Sequence, residues 1–246
     1  MTQKDNKTFN LKDAVTLVLI YVVGIQAVLP VILIPAIKLF NKDISSGLEP
    51  GVIPNELLPS LQFFVFLIGT LILLFLTRHK LLNELKKFLT NASANVLKVL
   101  RNYGLSMLAS IAINIVLVYV FKMTESSDNQ QMVESMVNDL PLAMLAVTVL
   151  FAPLIEEIVF RGGLYLGIKS KVGELWAVLI SSVSFGAIHV VAQVAQSGNI
   201  IDLLYILPYA SMGFFMVKSV KDTDSLWGGI LIHFINNLIA TLIIIL

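Results

Sequence analysis

What most constrains this chain is a succession of apolar runs about as long as a bilayer is thick. A helix needs roughly 20 predominantly apolar residues to cross the hydrocarbon core. Stretches over about 14–37, 59–76, 104–121, 141–168, 175–195, 201–217 and 226–246 meet or approach that length. Only 13% of the 246 residues are charged, against 57% hydrophobic, too few ionic side chains to cover a soluble fold of this size. The expectation is an all-α, polytopic integral membrane helical bundle of about seven transmembrane helices, with the lipid bilayer as its first partner. The net charge of +1 leaves no footprint for a polyanion, which excludes nucleic acid as a partner. The absence of cysteine excludes disulfides, thiolate metal sites and a cysteine nucleophile.

The first run is too long for a cleaved signal peptide, and Pro30 and Pro35 bend its far end. Between the second and third runs, Leu81, Leu82, Leu85, Phe88 and Leu89 recur at helical spacing, with Lys86, Lys87, Lys98 and Arg101 elsewhere. That pattern predicts an amphipathic helix over about 81–101 lying on the membrane surface. Basic residues set orientation. With the N-terminus inside and the C-terminus outside, all of the 17 Lys and Arg except Lys38, Lys42 and Lys122 fall in inside segments or next to them. The outside loops, about 41–58 and 122–140, are acidic. The chain divides into an N-terminal transmembrane region, 1–140, with three spans and the surface helix, and a core of four spans, 141–246.

The fourth run, from Pro141, continues past Glu156, Glu157 and Arg161 as far as Ile168. Ending it at Ile155 would leave a segment too short to cross. Three ionisable groups therefore fall at membrane depth, where they imply a protein-lined or watery cavity. Pro153 frees a backbone carbonyl and bends the helix toward that cavity. Glu157 and Arg161 are four apart, acid first, the better order for an ion pair on one helix face. Adjacent Glu156 points about 100° away. A buried carboxylate without a cationic partner binds protons more readily, the property of a general base. The competing reading is a helix end whose three charges reach the cytoplasmic surface.

Two histidines weigh against that alternative. His189 follows Phe185 by four residues in the fifth run, and His233 precedes Asn237 by four in the seventh. At 1.5 Å per residue, Glu156 and His189 lie roughly 18 and 21 Å from the inner ends of their helices, and His233 and Asn237 roughly 11 and 17 Å. The four groups can meet in one layer on the cytoplasmic side of mid-membrane. Intramembrane Glu and His also form the proton relays of transporters, but no repeat symmetry of the kind common in transporters is visible.

The motifs EEIVFR (Glu156, Glu157, Arg161), FGAIH (Phe185, His189) and HFINN (His233, Asn237) resemble, in order, the three motifs of the CPBP family, the CAAX proteases and bacteriocin-processing (Abi) enzymes. The resemblance covers about 141–246. It implies an intramembrane endopeptidase in which Glu156 activates water with help from His189. It further implies that His233 and Asn237 stabilise the oxyanion and that Glu157, Arg161 and Phe185 structure the site. No cofactor is required by that scheme. Glu156, His189 and His233 are also a zinc ligand set, so metal-free and metal-dependent chemistry both remain open. The implied partner is a membrane-associated peptide or protein, and the implied location a bacterial plasma membrane. Bacterial peptide maturation or self-immunity fits better than prenyl-protein processing. The alternative is a non-catalytic immunity or regulatory protein of the same fold.

Overall fold

The computed structural model describes residues 8–40, 54–123 and 127–246. Most of the expected acidic loop over 41–58, and residues 124–126 of the second, lie outside the described residues. Among the described residues the chain is helical and without strands. In chain order the helices are α1 Leu11–Leu39, α2 Leu58–Thr90, α3 Ala92–Tyr119, α4 Asp128–Asp139, α5 Pro141–Val172, α6 Glu174–Ile188, α7 Val191–Ser197, α8 Ile200–Thr223 and α9 Leu226–Ile245. Six of these, α1, α2, α3, α5, α8 and α9, are long and apolar enough to cross a bilayer. The remaining expected span is α6, which is apolar but has only 15 residues.

The polarity of the bundle is inverted relative to a soluble protein. Leu71, Phe75, Leu108, Ile111 and Ile115 are exposed, whereas Thr70, Asn102, Ser106, Glu156, Glu157 and Arg161 are buried. This is the arrangement a hydrocarbon solvent selects, because polar side chains gain partners only inside the bundle.

Two expected elements are divided differently. The surface helix over 81–101 does not form as one unit. Its first half prolongs α2, its second half begins α3, and the chain breaks at Asn91 (φ −141°, ψ 59°). The reason lies in Glu84, which is buried against the start of α9. Its carboxylate accepts from the Leu226 amide at 2.9 Å, and its main-chain carbonyl accepts from Ser225 Oγ at 2.7 Å. Trp227 Nε1 donates to the Leu81 carbonyl at 3.0 Å. An acid at a helix N-terminus satisfies otherwise orphaned amides, and these bonds hold the extension upright against α9.

The fifth span, expected over 175–195, ends at Ile188 and resumes as the short α7. His189 causes the break. Its Nδ1 lies 2.7 Å from the Phe185 carbonyl, which the side chain takes over, while its own amide turns back to Gly186 at 3.3 Å.

Ion pairs gather at one end of the bundle. Lys80 pairs with Asp13, Lys221 with Glu174 at 2.9 Å, and Arg101 with Asp222 at 2.6 Å. The opposite end carries α4, whose Ser127 and Asn129 reach Tyr209. The first is the basic end of the sequence and the second the acidic end. Helix α1 begins at the basic end, where the Gly167 Cα lies so near the Asn10 carbonyl that an added Cβ would stand 2.8 Å from it. Helix α9 also begins there, at Leu226, and carries the chain to the acidic end.

Candidate active site

Helix α5 supplies the acids and is not a regular α-helix. Over Val147–Phe151 and Glu157–Gly167 it is wound in the wider i→i+5 register, a form frequent at functional sites. The Ala152 amide reaches back to the Val147 carbonyl. In that register the next donor, for the Thr148 carbonyl, would be residue 153, and Pro153 has no N–H. The orphaned carbonyl is satisfied from α9, where Asn237 Nδ2 donates to it at 2.8 Å. Proline thus frees a carbonyl as the sequence implied, and the freed group draws in a motif residue.

The expected pair is present. Arg161 Nη1 donates to Glu157 Oε1 at 2.8 Å, with both side chains fully buried. Arg161 Nη2 donates to the Gly213 carbonyl at 3.0 Å, and the guanidinium lies 4.4 Å from the centre of the Phe185 ring. Phe185 packs its edge toward His233 and lies against His189, with ring centres 5.6 and 4.8 Å away. Glu157 Oε1 also lies 3.0 Å from His233 Nδ1. Glu157 therefore holds an arginine and a histidine, whereas helical spacing paired it only with the arginine.

Glu156 is sorted away from this pair. Its Oε2 stands 3.9 Å from His189 Nε2 and 3.8 Å from His233 Nε2. Those separations are too long for direct hydrogen bonds and suit one water bonded to both sides. Each imidazole has its Nδ1 engaged, with the Phe185 carbonyl or Glu157, and turns Nε2 to the acid. Glu156, His189 and His233 thus meet, as their expected depths allow, although His189 sits just past a helix end.

Asn237 lines the same cavity, but its amide is partly committed, donating to Thr148 and accepting from Asn236 Nδ2 at 3.1 Å. The cavity measures about 220 Å³. It runs from Glu156 past Met144, Thr148 and Thr241 toward Asn129 and Ile244, that is, toward the acidic end. Two imidazoles and a carboxylate are donor types that zinc takes. Among the described residues, however, no three His, Asp or Glu side chains close into a metal-ligand group, so the steps below run through protein groups.

Motif spacing did not disclose two contributors. The Tyr209 ring stacks on His189, with centres 4.6 Å apart and planes 15° apart, and its hydroxyl bonds Ser127 Oγ at 2.9 Å and Asn129 Nδ2 at 3.2 Å. No sequence signal marks it. Thr148 could have been found by counting five residues back from Pro153.

The fold and site define a helical membrane protein with a carboxylate and two imidazoles brought together in one cavity between its helices. Residues 138–239 match the family described as type II CAAX prenyl endopeptidase Rce1-like. The chain is 32% identical over 119 residues to "Putative membrane peptidase YdiL" of Bacillus subtilis (strain 168), covering 48% of this chain and 44% of that one. It is 34% identical over 105 residues to an uncharacterized protein of Mycoplasma capricolum subsp. capricolum, covering 41% of this chain and 27% of the relative. The match thus spans less than half the length of either relative. No solved structure matches. The likeness to that CAAX endopeptidase family is thus carried by the carboxy-terminal segment, residues 138–239, which holds all three motifs.

Proposed function

We propose that the chain is an intramembrane endopeptidase that cleaves a membrane-associated peptide or protein in a bacterial plasma membrane. The observation that carries this reading is the Glu156 carboxylate set 3.8–3.9 Å from two imidazole Nε2 atoms in the wall of one cavity. In this scheme Glu156 takes a proton from the water between it and His189, and the water oxygen attacks the scissile carbonyl. His189, bonded to the Phe185 carbonyl and stacked on Tyr209, fixes the water's position. His233, with Glu157 as its counter-ion, donates from Nε2 to the developing oxyanion, and Asn237 offers its remaining N–H. Glu156 then returns the proton to the leaving amine. Glu157 and Arg161 hold His233 in place.

Maturation of a bacterial peptide, or immunity to one, is favoured over prenyl-protein processing. Both relatives are bacterial. The test uses purified protein in lipid nanodiscs with a mixture of internally quenched apolar octapeptides, and products are read by mass spectrometry. Cleavage by the parent and a loss of at least about 10³-fold in Glu156→Gln is the expected result. A well-folded parent that cleaves none of the mixture would leave the non-catalytic immunity reading in its place.

A further inference from the structure

A second cavity adjoins the first. At the basic end α3 and α8 are tied together, Asn102 Nδ2 donating to Ser219 Oγ at 3.2 Å and Arg101 to Asp222 at 2.6 Å. Toward the acidic end the two helices bound a cleft of about 460 Å³. Gln130, Tyr209, Met212 and Asn236 line both this cleft and the cavity that holds Glu156, so the two spaces share a wall.

The cleft has a polar wall where a lipid-facing surface would be aliphatic. Ser110 and Asn114 of α3 line it. Asn114 is exposed between Ile113 and Ile115 in a candidate membrane span. An amide left to hydrocarbon costs several kcal/mol on cyclohexane-type scales, so this position calls for a polar occupant. The spacing indicates which one. Residues four apart on a helix rise about 6 Å along its axis, and two residues of extended chain rise roughly 6.7 Å. Ser110 and Asn114 therefore match alternate main-chain groups of an extended strand.

We propose that the cleft between α3 and α8 is the binding site for the substrate's main chain. It takes an unwound apolar peptide, with Ser110 and Asn114 pairing its N–H and C=O groups and Tyr209 at the passage to Glu156. A peptide unwound at membrane depth has no water to satisfy its backbone, and this wall supplies the partners. The cleft lies at the acidic end with Asp128 and Glu134, which suits a substrate with a basic flank on that side. The assignment rests on the peptidase reading, and its test is kept separate from turnover.

The chain has no cysteine, so single thiols can be placed cleanly. Val118→Cys puts one in the cleft, at a residue that lines it and is 42% exposed, and leaves Ser110 and Asn114 in place. Val116→Cys puts one about 200° around α3, at a residue 47% exposed. Both are made in the Glu156→Gln background, and alkylation by N-ethylmaleimide is timed with and without an apolar octapeptide carrying a terminal lysine. The peptide should slow alkylation at Val118→Cys at least fivefold and leave Val116→Cys unchanged. Equal slowing at both sites, or none at Val118→Cys, overturns the cleft assignment whether or not the parent protein cleaves the peptide. Protection without cleavage by the parent would retain the cleft and remove only the peptidase reading.

Discussion

Replacing Glu157 by glutamine should destabilise the protein far more than the same change at Glu156. Glu157 and Arg161 are both fully buried. The carboxylate is the counter-ion of the guanidinium and lies 3.0 Å from His233 Nδ1. Glutamine keeps the shape but removes the charge, leaving a buried arginine uncompensated at a cost of about 3–5 kcal/mol. Glu157 Oε2 already has no hydrogen-bond partner, and an added Cβ on Gly229 would stand 2.6 Å from it. An amide N–H₂ turned to that side would be a second unsatisfied group. Glu156 differs, because its nearest charged-capable neighbours are imidazoles at 3.8 and 3.9 Å, beyond hydrogen-bond reach. Glu156→Gln should change stability by under about 1 kcal/mol. At roughly 2–4 °C per kcal/mol for a chain of this size, Glu157→Gln should melt about 10 °C lower and Glu156→Gln within a few degrees of the parent. Intrinsic fluorescence of Trp176 and Trp227 during heating in nanodiscs reads the difference. Equal losses from the two substitutions would refute the division of labour between the adjacent acids.

Three further outcomes are expected. Activity should survive strong chelators in the purified protein; near-stoichiometric zinc, with activity lost on chelation and restored by zinc alone, would move Glu156, His189 and His233 into a metal site. Tyr209→Leu removes the ring stacked on His189, a contact of about 0.5–1.5 kcal/mol, and should lower kcat up to about tenfold while Tyr209→Phe stays near the parent; parallel losses would place the effect in the hydroxyl instead. Tags near Lys12 and Lys86 should be cytoplasmic and one near Asp128 extracytoplasmic, and a protease added to intact cells should remove only the last; its survival there would invert the orientation.

The layout of spans was legible because hydrocarbon imposes a length on apolar runs, and α1, α2, α3, α5, α8 and α9 all fall on expected stretches. The sorting of Glu156 from Glu157 was legible because adjacent helical residues point apart. What periodicity could not reveal were side chains that replace backbone partners. Glu84 caps α9 across the bundle, so α2 runs on where an amphipathic surface helix was expected. His189 takes the Phe185 carbonyl, so α6 stops seven residues before its apolar run does. In both cases the deciding partner is set by tertiary approach or by side-chain rotamer, and neither is encoded in hydrophobic spacing. Tyr209 is a third instance, a tyrosine whose neighbours in sequence are unremarkable and whose role comes from stacking on another helix.

Asn237 carries two roles that a double substitution can separate. In the resting structure its amide donates to the Thr148 carbonyl at 2.8 Å, the group orphaned by Pro153 in the wide register of α5. In the proposed reaction its other N–H helps to hold the oxyanion. Asn237→Ala removes both functions. It should cost about 1–3 kcal/mol of stability, for a buried acceptor left without a donor, and about 10²–10³ in turnover, for an oxyanion donor lost. Pro153→Ala restores a backbone N–H at the position that faces Thr148 in the i→i+5 register. Within that background, Asn237→Ala should cost at least about 1 kcal/mol less stability than in the parent, a coupling of the size that contacting residues show. Turnover should not recover, because the new N–H lies in the helix ladder and cannot reach the substrate. Additive stability effects would show that Pro153 does not orphan the Thr148 carbonyl. Recovery of turnover together with stability would show that Asn237 acts only as a cap, leaving His233 as the oxyanion donor.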